Sequence, residues 1–341
     1  MNLSRWKDNA RIVSRITPRR AWNMTMTFAG FHWSRITRRP AHWGMPSAIS
    51  IEPTTSCNLR CPECPSGLRS FSRPTGMLQD NFYRTIIDQV RKDVSYLTFY
   101  FQGEPYLNRN FLEMVSYAAS RNIYTATSTN AHYLDDETAR RTVASGLHRL
   151  IISIDGTTQE VYRQYRVGGK LEKVIAGAKN IIRWKKELRS PTPHVIFQFL
   201  VVKPNEHQIE EAEQLAMELG VNEIRFKTAQ VYDYANGNPL IPENTKYTRY
   251  RRNGDGTYSV RSKLDDHCWK MWTSCVITWD GKVVPCCFDK DASHQLGDLR
   301  SQSFREIWNS ASYRNFRSRL FTSRKNIDIC ANCSEGTKVW A

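Results

Sequence analysis

The chain has 341 residues, a formal net charge of +16 and 40% apolar residues. That length suggests about two domains and allows a sizeable core without disulfides. No run of about 18 apolar residues is present to form a transmembrane helix, and the basic N-terminus lacks the apolar core and small-residue cleavage site of a secretory signal.

Residues 1–45 hold nine Lys/Arg and one acid, Asp8, which is half of the net charge, with Trp6, Trp22, Trp33 and Trp43 interleaved. Such a mixture can meet an anionic membrane surface or nucleic acid, but no nucleic-acid motif accompanies it, so nucleic acid is not favoured. The plainer expectation is a solvated basic extension whose aromatics pack on the main domain.

From Ala48 the pattern changes. Short β-branched or apolar runs at 48–54, 96–101, 124–128, 149–154, 195–202 and 222–228 predict six strands. Between them, apolar residues at helical spacing predict helices over 79–93, 111–121, 136–145, 171–188 and 208–219, with Gly146 as a C-cap and Gly220 ending the last. Strict alternation of this kind predicts a parallel sheet with helices outside it. Six units are too few for a closed barrel, so the expected fold is α/β, a partial (β/α)6 barrel over 46–235. Residues 236–265, rich in Gly, Asn, Pro and charge, read as a linker with a hairpin around 253–256. A small cysteine-rich α+β domain is expected over 266–341.

The nine cysteines fall in two groups. Clustered cysteines in a chain of this size point to metal binding or catalysis in a reducing, cytoplasmic setting rather than to disulfides. The first group, Cys57-Asn-Leu-Arg-Cys61-Pro-Glu-Cys64, lies in the loop after the first strand. Ligands of parallel sheets gather at such strand ends. Three thiolates serve three irons of a four-iron cluster and leave one iron open. Structural zinc, the competing reading, usually takes four protein ligands in two pairs.

This CxxxCxxC triplet, in this place, resembles the signature of the radical S-adenosylmethionine (SAM) enzymes, and the resemblance extends over about 48–340. One departure is Glu63, where the family commonly has an aromatic residue. The resemblance implies a 4Fe–4S cluster on Cys57, Cys61 and Cys64 with SAM at its open iron. The segment Gln102-Gly103-Glu104-Pro105 is similar to the family's GGEP segment, which takes the SAM amino group. Glycine permits close backbone approach there, and a carboxylate suits an ammonium. By the same resemblance, Ser128, Asn130 and Ser153 stand at the family's polar SAM contacts, and Arg166 is a partner for the SAM carboxylate.

In the second group, Asp280-Gly281 between apolar runs predicts a hairpin that brings Cys268 near Cys286, with Cys330 and Cys333 closing the site from the chain end. Four thiolates suit a saturated cluster or structural zinc. The stretch resembles the SPASM and twitch domains that follow many radical SAM cores, which implies an auxiliary 4Fe–4S cluster on these four cysteines. Cys275 and Cys287 are left over, with Cys275 an alternate ligand.

The resemblance implies reductive cleavage of SAM to a 5′-deoxyadenosyl radical and hydrogen abstraction from a peptide or protein, or from a small polar molecule. It also implies a reducing donor such as flavodoxin or ferredoxin. Lys227, Tyr232, Asp233 and His132 are candidate proton handlers near the barrel exit. The rival reading is a non-catalytic cluster or zinc protein that docks through residues 1–45, a module with no need of the segment at 102–105.

Overall fold

The computed structural model describes residues 3–79 and 81–336; residues 337–341 of the expected C-terminal domain and the first two of the extension lie outside them. Six strands arise where the apolar runs predict them: β1 Ala48–Ile51, β2 Tyr96–Thr98, β3 Tyr124–Thr129, β4 Arg149–Ser153, β5 His194–Val201 and β6 Glu223–Thr228. They pair in parallel and in sequence order. The five expected helices form as Phe82–Val90, Phe111–Ser120, Asp136–Ala144, Leu171–Glu187 and Ile209–Glu218. Asp135 caps one of them, accepting from the Thr138 amide at 2.8 Å, and Gly146 turns the chain out at φ +81°.

Strand alternation sorts the two faces of the sheet. Ile49, Ile51, Leu97, Phe99, Leu150 and Ile152 are buried in one cluster with helix residues such as Ile86, Val115 and Val174. Their neighbours Ser50, Thr98, Ser128 and Ile151, and Gln198 in β5, are only half-buried. These line the inside of the partial barrel.

The hairpin after the barrel is β7 Tyr250–Arg252 with β8 Tyr258–Val260. Three further strands follow, β9 Ser274–Ile277, β10 Lys282–Val284 and β11 Gly297–Asp298. β9 and β10 flank the expected turn at Asp280-Gly281, and Gly281 has φ +95°. The C-terminal segment does not form a sheet of its own. β9 lies parallel to β1, so one nine-stranded sheet runs β11-β10-β9-β1-β2-β3-β4-β5-β6. A strand left with a free edge offers unpaired backbone groups, and β9 satisfies them on β1. A buried ion pair ties the same junction: Arg73 donates to Glu52 at 2.6 Å, and the Trp279 amide donates to Glu52 at 3.2 Å.

The expectation for residues 1–45 needs correction. They form two helices, α1 Leu3–Val13 and α2 Pro18–Thr37, and mostly polar residues pack inward, while of the aromatics Phe31 packs fully buried on Trp269 and Trp272. Asp8, 1% exposed, pairs with Arg149 at 2.5 Å and accepts from the Tyr124 hydroxyl at 2.5 Å. Tyr124 and Arg149 are the first residues of β3 and β4, so α1 packs across the foot of the barrel, opposite the strand ends that carry the cysteine loop. Trp6, Trp22, Trp33 and Trp43 are each at least half exposed.

Candidate functional site

Beyond β1 the chain enters the loop that carries Cys57, Cys61 and Cys64. The loop is fixed by backbone bonds, from the Arg60 amide to the Val167 carbonyl at 2.9 Å and from the Cys64 amide to the Cys61 carbonyl at 3.3 Å. Each sulfur has a different polar neighbour. Asn130 Nδ2 lies 3.9 Å from Cys57 Sγ, Arg166 Nη1 lies 3.8 Å from Cys61 Sγ, and Gln102 Oε1 lies 3.9 Å from Cys64 Sγ. These partners come from the ends of β3, the turn after Gln159–Tyr165, and the loop after β2. The triplet and three of the expected SAM-contact residues therefore meet at one place.

Gly103 has φ +72°, and a Cβ there would stand 2.4 Å from the Thr54 carbonyl and 2.7 Å from that of Ser56. Only glycine lets this segment lie so close to the cysteine loop. Pro105 starts the short 3-10 turn Pro105–Leu107. Glu104 is 2% exposed and accepts from the Thr129 hydroxyl at 2.7 Å and the Asn130 amide at 2.8 Å. Burial pushes its carboxyl up to about 7 against these donors. Ser128 lies on the inner face of β3, Asn130 directly follows the strand, and Ser153 ends β4 opposite Gln198; Ser128 is half-buried and Ser153 buried.

Sequence reasoning missed the residues that set these groups. Asp155 holds Arg166, accepting from Nε at 2.5 Å, and is itself fixed by the Leu200 amide at 2.7 Å. Asn58 accepts from Asn130 Nδ2 at 2.7 Å. Glu63, at the position that departs from the family pattern, accepts from the Tyr232 amide at 3.0 Å and so ties the loop to the segment after β6. Asp155-Gly156 reads locally as a strand stop, which hid its carboxylate. Of the candidate proton handlers, His132 is a turn residue whose Nε2 accepts from the Lys170 amide at 2.8 Å. Lys227 and Asp233 are exposed, and Tyr232 packs under the Lys290 ammonium, 4.8 Å from its ring centre.

The second cysteine group also converges. Cys268, Cys286, Cys330 and Cys333 line one small cavity, and Arg324 reaches into it. Arg324 is 1% exposed and donates from Nη2 to Cys333 Sγ at 3.4 Å and from Nη1 to the His267 carbonyl at 2.8 Å. Gly336, at φ +83°, lies against Cys268, and a Cβ there would stand 2.4 Å from Cys268 Sγ. Cys275 and Cys287 do not line the cavity. Cys275 lies on β9, buried against Tyr313, and Cys287 is exposed.

The family comparisons match this arrangement segment by segment. Residues 51–216 match the radical SAM superfamily, and residues 268–334 match the SPASM iron–sulfur cluster-binding domain. The chain belongs to the radical SAM superfamily. Similar proteins with curated functions include the tungsten-containing aldehyde ferredoxin oxidoreductase cofactor-modifying protein of Pyrococcus furiosus, 26% identical over 84% of this chain and 86% of the relative. The PqqA peptide cyclase of Rhodopseudomonas palustris is 25% identical over 86% of this chain and 80% of its own. Among solved structures, Streptococcus suis SuiB bound to S-adenosylmethionine aligns with TM-score 0.64 and 15% identity, over 86% of this chain and 73% of that one. The shared fold is thus a partial barrel followed by a C-terminal domain.

Radical SAM and SPASM domains bind 4Fe–4S clusters, and the residues of this radical SAM protein fit them. In the first set Cys61 is buried and Cys57 and Cys64 half-buried; in the second Cys268, Cys330 and Cys333 are buried and Cys286 half-buried; each set is faced by a guanidinium, Arg166 or Arg324. Burial pushes the Cys57 and Cys330 thiols up to about 11. Thiols held in that state release protons when they bind iron. Among the described residues no group of three His, Cys, Asp or Glu is placed to hold a single metal ion.

Proposed function

We propose that this radical SAM enzyme modifies a peptide or protein, with Cys57, Cys61 and Cys64 holding the catalytic cluster and Cys268, Cys286, Cys330 and Cys333 holding the auxiliary one. The observation that carries the site assignment is the meeting of Gln102, Asn130 and Arg166 around the triplet. The peptide class is supported by similarity to a peptide cyclase over 86% of this chain and 80% of that one.

The chemistry supplied by cluster and SAM together, when bound, is one-electron cleavage to methionine and a 5′-deoxyadenosyl radical that takes hydrogen from substrate. The chain's own residues orient and enclose. Gly103 and Glu104 form a tight backbone wall suited to an ammonium group. Arg166, steadied by Asp155, is suited to a carboxylate. Ser128 and Ser153 offer hydroxyls on the inner face, towards a ribose. The half-buried interior, with Ser50, Thr98 and Gln198, leaves room for a substrate side chain inside the barrel. A flavodoxin or ferredoxin supplies the electron in this reading. The N-terminal helices, which we read as a membrane-surface contact, stand apart from this site.

The test is anaerobic turnover with pooled peptides against pooled small polar metabolites. Stimulation of 5′-deoxyadenosine above the SAM-only rate by peptides alone supports the proposal. Stimulation by small polar molecules alone favours the second reading, a dehydrogenase or isomerase of such molecules.

A further inference from the structure

The N-terminal helices are built the wrong way round for a protein surface. In α2 the buried stripe is Arg20, Asn23, Thr27, Gly30, Phe31 and Ser34, of which only Phe31 is a large apolar residue. Its polar groups are satisfied inside: Arg20 donates to the carbonyls of Arg15, Asn122 and Arg91 at 2.7, 2.6 and 2.6 Å, and Asn23 exchanges two bonds with Met45 at 2.9 and 2.8 Å. One residue earlier runs a second stripe, Trp22, Met26, Ala29, Trp33 and Ile36, at the same helical spacing and turned by about 100°. Trp22 is 67% exposed, Trp33 52% and Ile36 80%. Trp43 lies beside Trp33, ring centres 6.1 Å apart. α1 repeats the pattern, with Asp8 inward and Leu3, Trp6 and Val13 outward.

Eight of the fourteen large apolar side chains exposed among the described residues fall between Leu3 and Trp43. Burying three such side chains is worth several kcal/mol, so this folding pattern leaves a large apolar area to be covered by something else. The charge says what. Asp8 is the only acid of residues 1–45 and is buried, so the outer surface of the extension carries no carboxylate, while Arg5, Lys7, Arg19, Arg35, Arg38 and Arg39 are exposed. A second copy of the same cationic face would repel it. Nucleic acid would meet the charge but gains little from the aliphatic Leu3, Val13 and Ile36. Tryptophan, aliphatic residues and arginine together suit the headgroup zone of an anionic bilayer. No helix among the described residues is long and apolar enough to cross a membrane, so the helices lie on the surface.

We propose that α1, α2 and Trp43 dock this protein onto anionic lipid, with α1 packed on the foot of the barrel and the cysteine loop at its opposite end. The proposal does not depend on which substrate the site takes.

The experiment is anaerobic flotation of the full cluster-loaded chain with phosphatidylglycerol/phosphatidylcholine vesicles and with phosphatidylcholine vesicles. The expected result is binding to the mixed vesicles at least about ten-fold tighter than to phosphatidylcholine. The variant Trp22→Gln/Trp33→Gln/Ile36→Gln loses at least about ten-fold in binding while its 5′-deoxyadenosine yield from SAM stays that of the native chain. Arg35→Gln/Arg38→Gln/Arg39→Gln weakens binding by about five-fold per charge removed. Equal binding to both vesicles, no binding, or native binding by the tryptophan variant overturns the proposal. So does tighter binding to duplex DNA at the same salt, or a native dimer that the tryptophan variant abolishes, since each names another occupant.

Discussion

Asp8 of the first helix and Arg149 at the start of β4 form an ion pair at 2.5 Å, with Asp8 1% exposed, which fastens the extension to the foot of the barrel. Removing one partner of such a pair leaves a buried charge uncompensated. Asp8→Asn should therefore destabilise the chain by about 3 kcal/mol, read as a lower urea midpoint. Limited proteolysis should also cut within residues 1–45 earlier than in the native chain. Unchanged proteolysis would mean that the inward contacts of Arg20, Asn23 and Phe31, not Asp8, anchor the helices.

His148 packs near the same junction, with Arg15 Nη2 2.9 Å from its Nε2. Burial first, and then the Arg15 charge, hold its pKa down to about 4 from 6.5. The unfolded chain therefore binds more protons than the folded one between these values, so stability is complete above pH 6.5 and is lost as pH falls towards 4. The loss at pH 5 from this group alone is about 2 kcal/mol. His148→Gln should flatten the slope between pH 7 and 5 in paired urea titrations. A parallel slope in the variant would contradict the assignment.

Much of the barrel is legible in sequence because each of its strands is a short apolar run bounded by a helix. The cysteine triplet is legible because its spacing is local. What escaped is long-range. The pairing of β9 with β1 joins residues more than two hundred positions apart, and strand periodicity names the faces of a strand but not its neighbour. Asp155 reads locally only as a strand stop because its partner, Arg166, reaches it through the fold. The inverted polarity of α2 escaped for a different reason: its two stripes have the same helical spacing, and nothing local says which one turns inward.

Gly103 should tolerate no side chain. The Cβ of Gly103→Ala would meet the Thr54 and Ser56 carbonyls and the residue would be strained at φ +72°. Displacing the segment by about 1 Å should lower 5′-deoxyadenosine formation by about 100-fold, with iron content little changed. Proportional loss of iron would show that the segment supports the cluster rather than SAM.

Gly336→Ala addresses the other cavity, since its Cβ would meet Cys268 Sγ. Iron should fall from about eight towards about four per chain, as expected for two four-iron clusters, with 5′-deoxyadenosine formation from SAM retained. Arg324→Met should keep the iron but make the auxiliary cluster harder to reduce, because a buried cation beside Cys333 favours the more negative reduced state. Redox titration followed by electron paramagnetic resonance reads the shift, and an unchanged potential would leave Arg324 a merely structural residue.

The most direct test of the whole account uses anaerobically reconstituted, dithionite-reduced protein and SAM, with 5′-deoxyadenosine, iron and sulfide measured together. The native chain should form 5′-deoxyadenosine, and the Cys57→Ala/Cys61→Ala/Cys64→Ala variant should form none while keeping the auxiliary cluster. Zinc in place of iron, or equal 5′-deoxyadenosine from native chain and variant, would contradict the assignment of the triplet as the radical-generating site.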